Sequence, residues 1–284
     1  MRGIIRTVVN ATRLQSRHQS VLISFLKRDV VCNLFSIGVL ERWGMAWVTS
    51  SEWWGVFDDA ESLKAVVFAG NRSADGRFGL AVASGAPDAA ELLGLALAER
   101  GGVAWAVGET DATEALWRGL GGHTARVCSD QVLMETSTVG DGEHLALRRA
   151  TSSDFDWVSS AASSMMREDL GVDIAADSPT QFLSSIHSCI ANGQEFIGCH
   201  DGARVFRARV GTDCSGGAQI GGVWVEPSQR GSGFGEAGTR ALVRELLSRV
   251  PRVTLHVRQE NKVAIRCYTA AGFVPVRAFR LLVR

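Results

Sequence analysis

The segment Val223-Trp224-Val225-Glu226-Pro227-Ser228-Gln229-Arg230-Gly231-Ser232-Gly233-Phe234-Gly235 constrains this chain more than any other. It reads as an apolar strand, a glycine-rich turn and the start of a helix running from about Gly235 to Arg249. Glycines let consecutive backbone N–H groups point into one small space, and a helix N-terminus behind them adds roughly half a positive charge. Together these make a pyrophosphate cradle. The turn is not a Walker loop, because no Gly-Lys-Ser/Thr follows. Nor is it a dinucleotide fingerprint, because the strand comes late and no acid sits at the expected spacing. Taken alone, the same residues also fit a glycine-rich loop without a ligand.

A second feature lies about thirty residues on. The chain has one tyrosine, Tyr268, against eight tryptophans and twelve phenylalanines. It sits in Asn261-Lys262-Val263-Ala264-Ile265-Arg266-Cys267-Tyr268-Thr269-Ala270-Ala271-Gly272-Phe273. A phenol with pKa ~10 stays protonated at neutral pH and can donate a proton where phenylalanine cannot. By itself the residue also fits a ring packed near the C-terminal glycine of a helix.

Bulk properties set the limits. A length of 284 residues favours two domains. The composition, 46% hydrophobic and 21% charged, is that of a soluble globular protein. A net charge of zero gives no broad attraction to nucleic acid or to an anionic membrane, though a local basic pocket for a phosphorylated ligand stays open. The six cysteines form no CxxC, and no Cys/His cluster has zinc spacing, so reduced thiols, a cytoplasmic location and no metal are expected. The basic N-terminus lacks a long apolar stretch and a cleavage site, which argues against a signal peptide. No segment is long and apolar enough to span a bilayer.

Along the chain, residues from about Asn10 to Gly44 read as helical, broken near Asp29 to Asn33. A hairpin (Trp53–Phe57, Leu63–Ala69), a strand (Phe78–Ala83), a helix (Pro87–Arg100), a strand (Val103–Val107), a helix (Asp111–Leu120) and a strand (Arg126–Glu135) follow. The polar stretch 137–143 is the linker candidate, which divides the chain into domains 1–136 and 144–284. The second half reads as strand Leu145–Arg149, a helix to about Arg167 after the capping signal Thr151-Ser152-Ser153-Asp154, and a helix from Pro179 to Asn192-Gly193. Next come two strands flanking Asp201-Gly202, a type I′ hairpin signal, and the strand that enters the cradle. Strand Val253–Arg258, helix Lys262–Ala271 and strand Phe273–Val283 close the chain. The halves share an outline, provided a first strand lies in Gly3–Val9. That points to two copies of one fold without a residue-level repeat.

The joint pattern is Val-x-Val-x-Pro, then Arg-x-x-Gly-x-Gly, a strand, and Asn-x-x-Ala-x-x-x-Tyr-x-x-x-Gly-Phe. It resembles the GCN5-related N-acetyltransferase (GNAT) superfamily, tightly over Val223–Phe273 and in element order over Leu145–Arg284. The first half is similar, more weakly, to the N-terminal part of two-domain bacterial GNAT proteins. That similarity runs through Lys27-Arg28-Asp29-Val30-Val31-Cys32-Asn33-Leu34-Phe35 and Trp54-Gly55-Val56-Phe57-Asp58-Asp59. The resemblance implies an α/β chain of tandem GNAT folds, each a mixed twisted sheet flanked by helices, with a degenerate first copy. It also implies an acetyltransferase with acetyl-CoA as co-substrate and a small-molecule or peptide amine as acceptor.

By the same resemblance, the backbone of Val223, Trp224 and Val225 would bond the pantetheine arm, and Arg230, Gly231, Ser232, Gly233, Phe234 and Gly235 would hold the pyrophosphate. Asn261 would contact the arm or a water, a role compatible with capping the helix behind it. Tyr268 would protonate the departing thiolate, worth ~10²–10⁴ in rate. His256 stands at the strand position where some relatives that acetylate protein N-termini carry a glutamate base; a half-buried strand histidine fits equally. Glu168 and Asp169 lie where acceptors enter and could attract a cationic amine, or could simply be a solvated helix end. The first half lacks both the Arg-x-x-Gly-x-Gly turn and a tyrosine, so it is expected not to bind acetyl-CoA productively. Two rival readings stand beside the acetyltransferase: a regulatory protein that binds CoA without turnover, and a tandem enzyme like mycothiol synthase that acetylates a cysteinyl amine.

Overall fold

A computed structural model describes residues 10–45, 50–73, 76–171 and 173–284. By packing, the chain divides into two compact units: residues up to Gln131 together with Arg277–Arg284, and Val132–Val276. The last eight residues therefore complete the first unit. The stretch 137–143 lies inside the second, where the Gly140 N–H donates to the Ala271 carbonyl.

The first unit contains β1 (Ala11–Arg13), α1 (Gln19–Leu26), α2 (Leu34–Trp43), β2 (Glu52–Phe57), β3 (Leu63–Arg72), β4 (Phe78–Gly85), α3 (Pro87–Glu99), β5 (Val103–Glu109) and α4 (Thr110–Gly119). The helix expected from Asn10 onward is a correction: Ala11–Arg13 is a strand, paired antiparallel with Val56–Trp54. Three residues are too few to display a period of two in the sequence. The expected break is present as a short 3₁₀ turn at Lys27–Asp29. The strand sought in Gly3–Val9 lies outside the described residues. In the sheet, β1, β2, β3 and β4 pair antiparallel in turn, and β4 pairs parallel with β5. The segment Phe279–Val283 lies antiparallel beside β5. Leu93, Leu97 and Leu116 from α3 and α4 bury against Val67, Phe78 and Leu282.

Two strands cross the division between the units: β6 (Val127–Thr136) and, at the end of the chain, β12 (Val274–Val283). Between them the second unit has β7 (Ala146–Arg149), α5 (Phe155–Leu170), α6 (Ile174–Asp177), α7 (Pro179–Ala191), β8 (Glu195–His200), β9 (Ala203–Cys214), β10 (Gly217–Val225), α8 (Phe234–Leu247), β11 (Val253–Arg258) and α9 (Lys262–Ala270). Its pairings repeat the order of the first unit: β7 to β10 antiparallel in turn, then β10 parallel to β11. Asp201 and Gly202 both have positive φ, 48° and 78°, as a type I′ turn requires.

Two faces of this sheet bury different layers. Leu242, Val243 and Leu246 of α8 pack with Phe206, Ile220, Val253 and Leu255 on one face. Val158 and Ala162 of α5 pack with Phe182, Ile186 and Ile197 on the other. The 3₁₀ turn Ser152–Asp154 that leads into α5 is pinned by a capping box. Thr151 and Asp154 bond reciprocally, and the fully buried Asp154 carboxylate also accepts from Arg148 and Arg204 at 2.7–2.8 Å. These cations, led by Arg148, hold Asp154 well below the usual carboxylate range.

Candidate active site

The two central strands of the second unit part company half way. β10 pairs with β11 only over Ala218–Ile220, opposite Val253–Leu255. Beyond that point β10 carries a bulge: Gly221 faces Arg209, but the next paired residue is Trp224, facing Arg207. Gly222 takes φ +61°, a conformation that favours glycine. An extra residue on one strand bends it and increases its twist, so Gly221–Val225 diverges from His256–Arg258. The edge this exposes can add an extended chain by backbone hydrogen bonds.

The turn at the open end is the predicted cradle. Gly231 and Gly233 have φ of +82° and +81°, and Gly233 caps the fourteen-residue α8. A Cβ at either glycine would meet nothing within 4 Å, so backbone conformation rather than crowding requires glycine there. Among the described residues, none of the amides of Gly231, Ser232, Gly233, Phe234, Gly235 and Glu236 donates to a protein acceptor. Six consecutive donors at a helix N-terminus form a strong anion site. Arg230 folds over the same turn, with Nε donating to the Val225 carbonyl at 3.2 Å.

The C-terminal end of α5 reaches both sides of the opening. The Glu168 carboxylate accepts from Arg230 Nη2 at 2.9 and 3.1 Å, on the β10 side. Asp169 accepts from Arg258 Nη2 at 3.3 Å, on the β11 side. Burial raises the Asp169 carboxyl above its ordinary range, against the opposing pull of Arg258. Sequence reasoning passed over Arg258, whose only signal was its place at the end of a predicted strand.

Tyr268 is buried on α9, with its ring edge-on to Phe273 at 6.1 Å. Burial pushes its phenol well above the ordinary value, and negative charge at Asp169, or at Cys267 once ionised, adds to the effect. α9 sits close to the cradle: a Cβ at Gly235 would meet Cys267 Sγ at 3.3 Å. Asn261 caps α9, its Oδ1 accepting from the Ala264 N–H at 3.0 Å. His256 is half-buried on the β11 face that carries Arg258, and burial lowers it to about 4.

The equivalent place in the first unit is built differently. β4 and β5 stay paired from Phe78 opposite Val103 to Ala83 opposite Gly108, and the β3–β4 ladder has no register shift. Only Ala86 separates β4 from α3, and Pro87 opens that helix, which removes one amide donor. In the second unit the corresponding connection is Glu226–Gly233.

Residues 152–273 match the family model described as Acetyltransferase (GNAT) family. No curated protein matches the chain. Three of the solved structures that share its fold illustrate the likeness. One is a GCN5-related N-acetyltransferase from Sphaerobacter thermophilus, at 16% identity and TM-score 0.61, covering 99% of this chain and 96% of that one. Another is a GNAT-family acetyltransferase from Colwellia psychrerythraea, at 14% identity and TM-score 0.53, covering 97% and 100%. The third is a tandem GNAT protein from the clavulanic acid biosynthesis pathway, at 13% identity and TM-score 0.57, covering 97% and 98%. Strand splay, phosphate turn and matched segment agree: residues 152–273, within the second unit, carry the GNAT acetyltransferase family match, and the chain as a whole shares the fold of these solved structures.

Proposed function

We propose that the second unit is an acetyl-CoA-dependent N-acetyltransferase acting on a primary amine of a small molecule or peptide by direct attack. The observation that carries this reading is the run of six unpartnered amides at the open end of the β10–β11 splay. The pyrophosphate would lie on Gly231–Gly235 with Arg230 beside it, and the pantetheine arm would run along Val223–Val225. Asn261 would keep its capping bond and offer its amide nitrogen to the arm.

In the reaction, the amine nitrogen forms a bond to the thioester carbonyl carbon and the carbon–sulfur bond breaks. The thiolate takes the Tyr268 proton, and the proton shed by nitrogen restores the phenol. A phenol held above its ordinary pKa remains protonated until a thiolate forms beside it. Neither candidate base is strong. Histidine lowered to about 4 is neutral at pH 7 but a poor proton acceptor, and Glu168 is engaged by Arg230. Weak bases suit an amine that is already partly neutral. An α-amine near pKa 8 is neutral in about one molecule in ten at pH 7, a lysine-type amine near 10.4 in about one in 2,500. We therefore favour an acceptor of the first kind. Six cysteines without a disulfide fit a reducing, cytoplasmic setting.

Thiol release from acetyl-CoA over a panel of α-amines, alkylamines and peptides tests the proposal. Tyr268→Phe should lower kcat by ~10²-fold on the best acceptor while acetyl-CoA affinity stays within about threefold. Full turnover in that variant at neutral pH would remove Tyr268 from its role. Binding of acetyl-CoA with no thiol release for any amine would instead favour a regulatory CoA-binding protein.

A further inference from the structure

Among the described residues, Arg207 is the bulkiest fully buried side chain, and it is charged. It extends from β9, opposite Trp224, on the sheet face that packs against α5. Its Nη2 donates to Glu195 Oε1 at 2.8 Å, and Glu195, at the start of β8, is completely buried. Its Nη1 donates to the Gly222 carbonyl at 3.1 Å. Gly222 is the positive-φ residue of the β10 bulge, and a Cβ there would meet Nη1 at 2.9 Å. The glycine therefore both turns the strand and admits the guanidinium.

Stability does not account for this pair. Burial of both ions is expensive, and replacing such a pair by apolar groups of similar volume is often neutral or stabilising. The satisfaction is also incomplete: Arg207 Nε and Glu195 Oε2 are buried without a hydrogen-bond partner. What the pair does fix is one peptide plane. The Gly222 carbonyl and the Val223 N–H belong to the same planar trans peptide and point in opposite directions. Anchoring the carbonyl on Arg207 thus sets the direction of the Val223 N–H, on the strand where the acyl-pantetheine arm would lie.

We propose that the buried Arg207–Glu195 pair is a positioning device for acyl transfer, holding the Gly222–Val223 peptide of the bulge in the orientation that addresses the thioester. This rests on the acetyl-CoA reading of the same cleft. Arg207 touches no reacting atom; it acts through Gly222. Preorganised backbone dipoles of this kind act where charge develops, and loss of one such donor costs ~10²–10³ in kcat in a well-studied hydrolase.

The test uses the full chain and the charge-neutral double variant Arg207→Met/Glu195→Leu, which leaves no unpaired buried ion. Its thermal midpoint should stay within a few degrees of wild type, and calorimetry with CoA should give an affinity within threefold. On the fastest amine of the panel, kcat should fall by 10-fold or more with little change in KM for acetyl-CoA. Infrared difference spectra of bound acetyl-CoA carrying a ¹³C carbonyl should show the band shifted from its frequency in water for wild type and returned toward it in the variant. A folded variant with wild-type kcat and an unmoved carbonyl band overturns the proposal. If the double variant does not fold, Arg207→Lys carries the same comparison. Lysine can keep Glu195 but lacks the fork that also reaches Gly222, so kcat and the band should again shift, and wild-type values overturn the proposal. Failure of wild type itself to bind acetyl-CoA or release thiol would overturn the underlying reading instead, so the two failures are distinguishable.

Discussion

Glu168→Gln separates two roles that one carboxylate can play. In the structure this group pairs with Arg230 at 2.9 Å, and both side chains are 46% exposed. An exposed pair of this kind is worth about 0.2–1 kcal/mol. CoA must compete with that pair for the guanidinium, so removing the carboxylate charge should tighten acetyl-CoA binding by roughly 1.4- to 5-fold. Arg230 does not drift away when Glu168 is neutralised, because its Nε still holds the Val225 carbonyl. The gain should shrink as salt rises, because charges beyond ~8 Å are screened at 0.15 M. Isothermal calorimetry with acetyl-CoA at pH 7.5, in 20 and 150 mM salt, gives both numbers, and steady-state thiol release gives kcat. If Glu168 only restrains Arg230, kcat stays within about threefold while Kd falls. Weaker binding in Glu168→Gln would refute the competition. An unchanged Kd with kcat down by ~10² would make Glu168 the base after all.

His256 should mark the pH dependence of stability. Its folded pKa of about 4 lies below the unfolded value of about 6.5, so as pH falls the unfolded chain takes the proton first. The associated stability is complete above pH 6.5 and is lost between 6.5 and 4, by at most about 3 kcal/mol. Urea melts across that window should be flatter in His256→Asn, and identical slopes would contradict the assignment. Calorimetry should also give one acetyl-CoA per chain, because among the described residues of the first unit β4 stays paired with β5 and only Ala86 separates β4 from α3. A stoichiometry of two would refute that account.

Most of the second unit was legible because its signals are local. Asp201-Gly202 dictates a hairpin, Ser178-Pro179 and Asn192-Gly193 bracket α7, and the glycines of the cradle announce positive φ. Tyr268 and the turn were joined only through the family resemblance, since α8, β11 and the start of α9 lie between them. What stayed hidden depends on contacts distant in sequence. Glu168 and Arg230 are separated by 62 residues, and nothing in either neighbourhood announces the pairing. The Arg207–Glu195 pair gave only a weak hint, a cation inside the apolar run Val205-Phe206-Arg207-Ala208. The final strand was found, but the attachment of its last eight residues to the first unit could not be, since an alternating strand carries no record of which core it completes.

The two units show how little separates an open strand edge from a continuously paired one. Both run through the same pairings, three antiparallel and one parallel, so the strand succession cannot be what decides. The difference begins with register: the β9–β10 ladder shifts twice, between Gln219 and Ile220 and between Gly221 and Trp224. In the first unit the β3–β4 ladder is regular, β4 stays level with β5, and five of its residues pair with that neighbour. In the second unit the bulge at Gly222 breaks the register, β10 leaves β11 after three pairs, and the strand edge becomes available. The connection then decides what the edge can hold. A single alanine before Pro87 turns the chain straight into α3, whereas Glu226–Gly233 leads into α8 with six consecutive amides that have no protein acceptor. Bulge and turn are also interdependent: an open edge without the cradle would lack the anion site that anchors CoA, and a cradle without the splay would have nowhere to lead the arm. Restoring only one of them to the first unit should therefore leave it unable to bind acetyl-CoA.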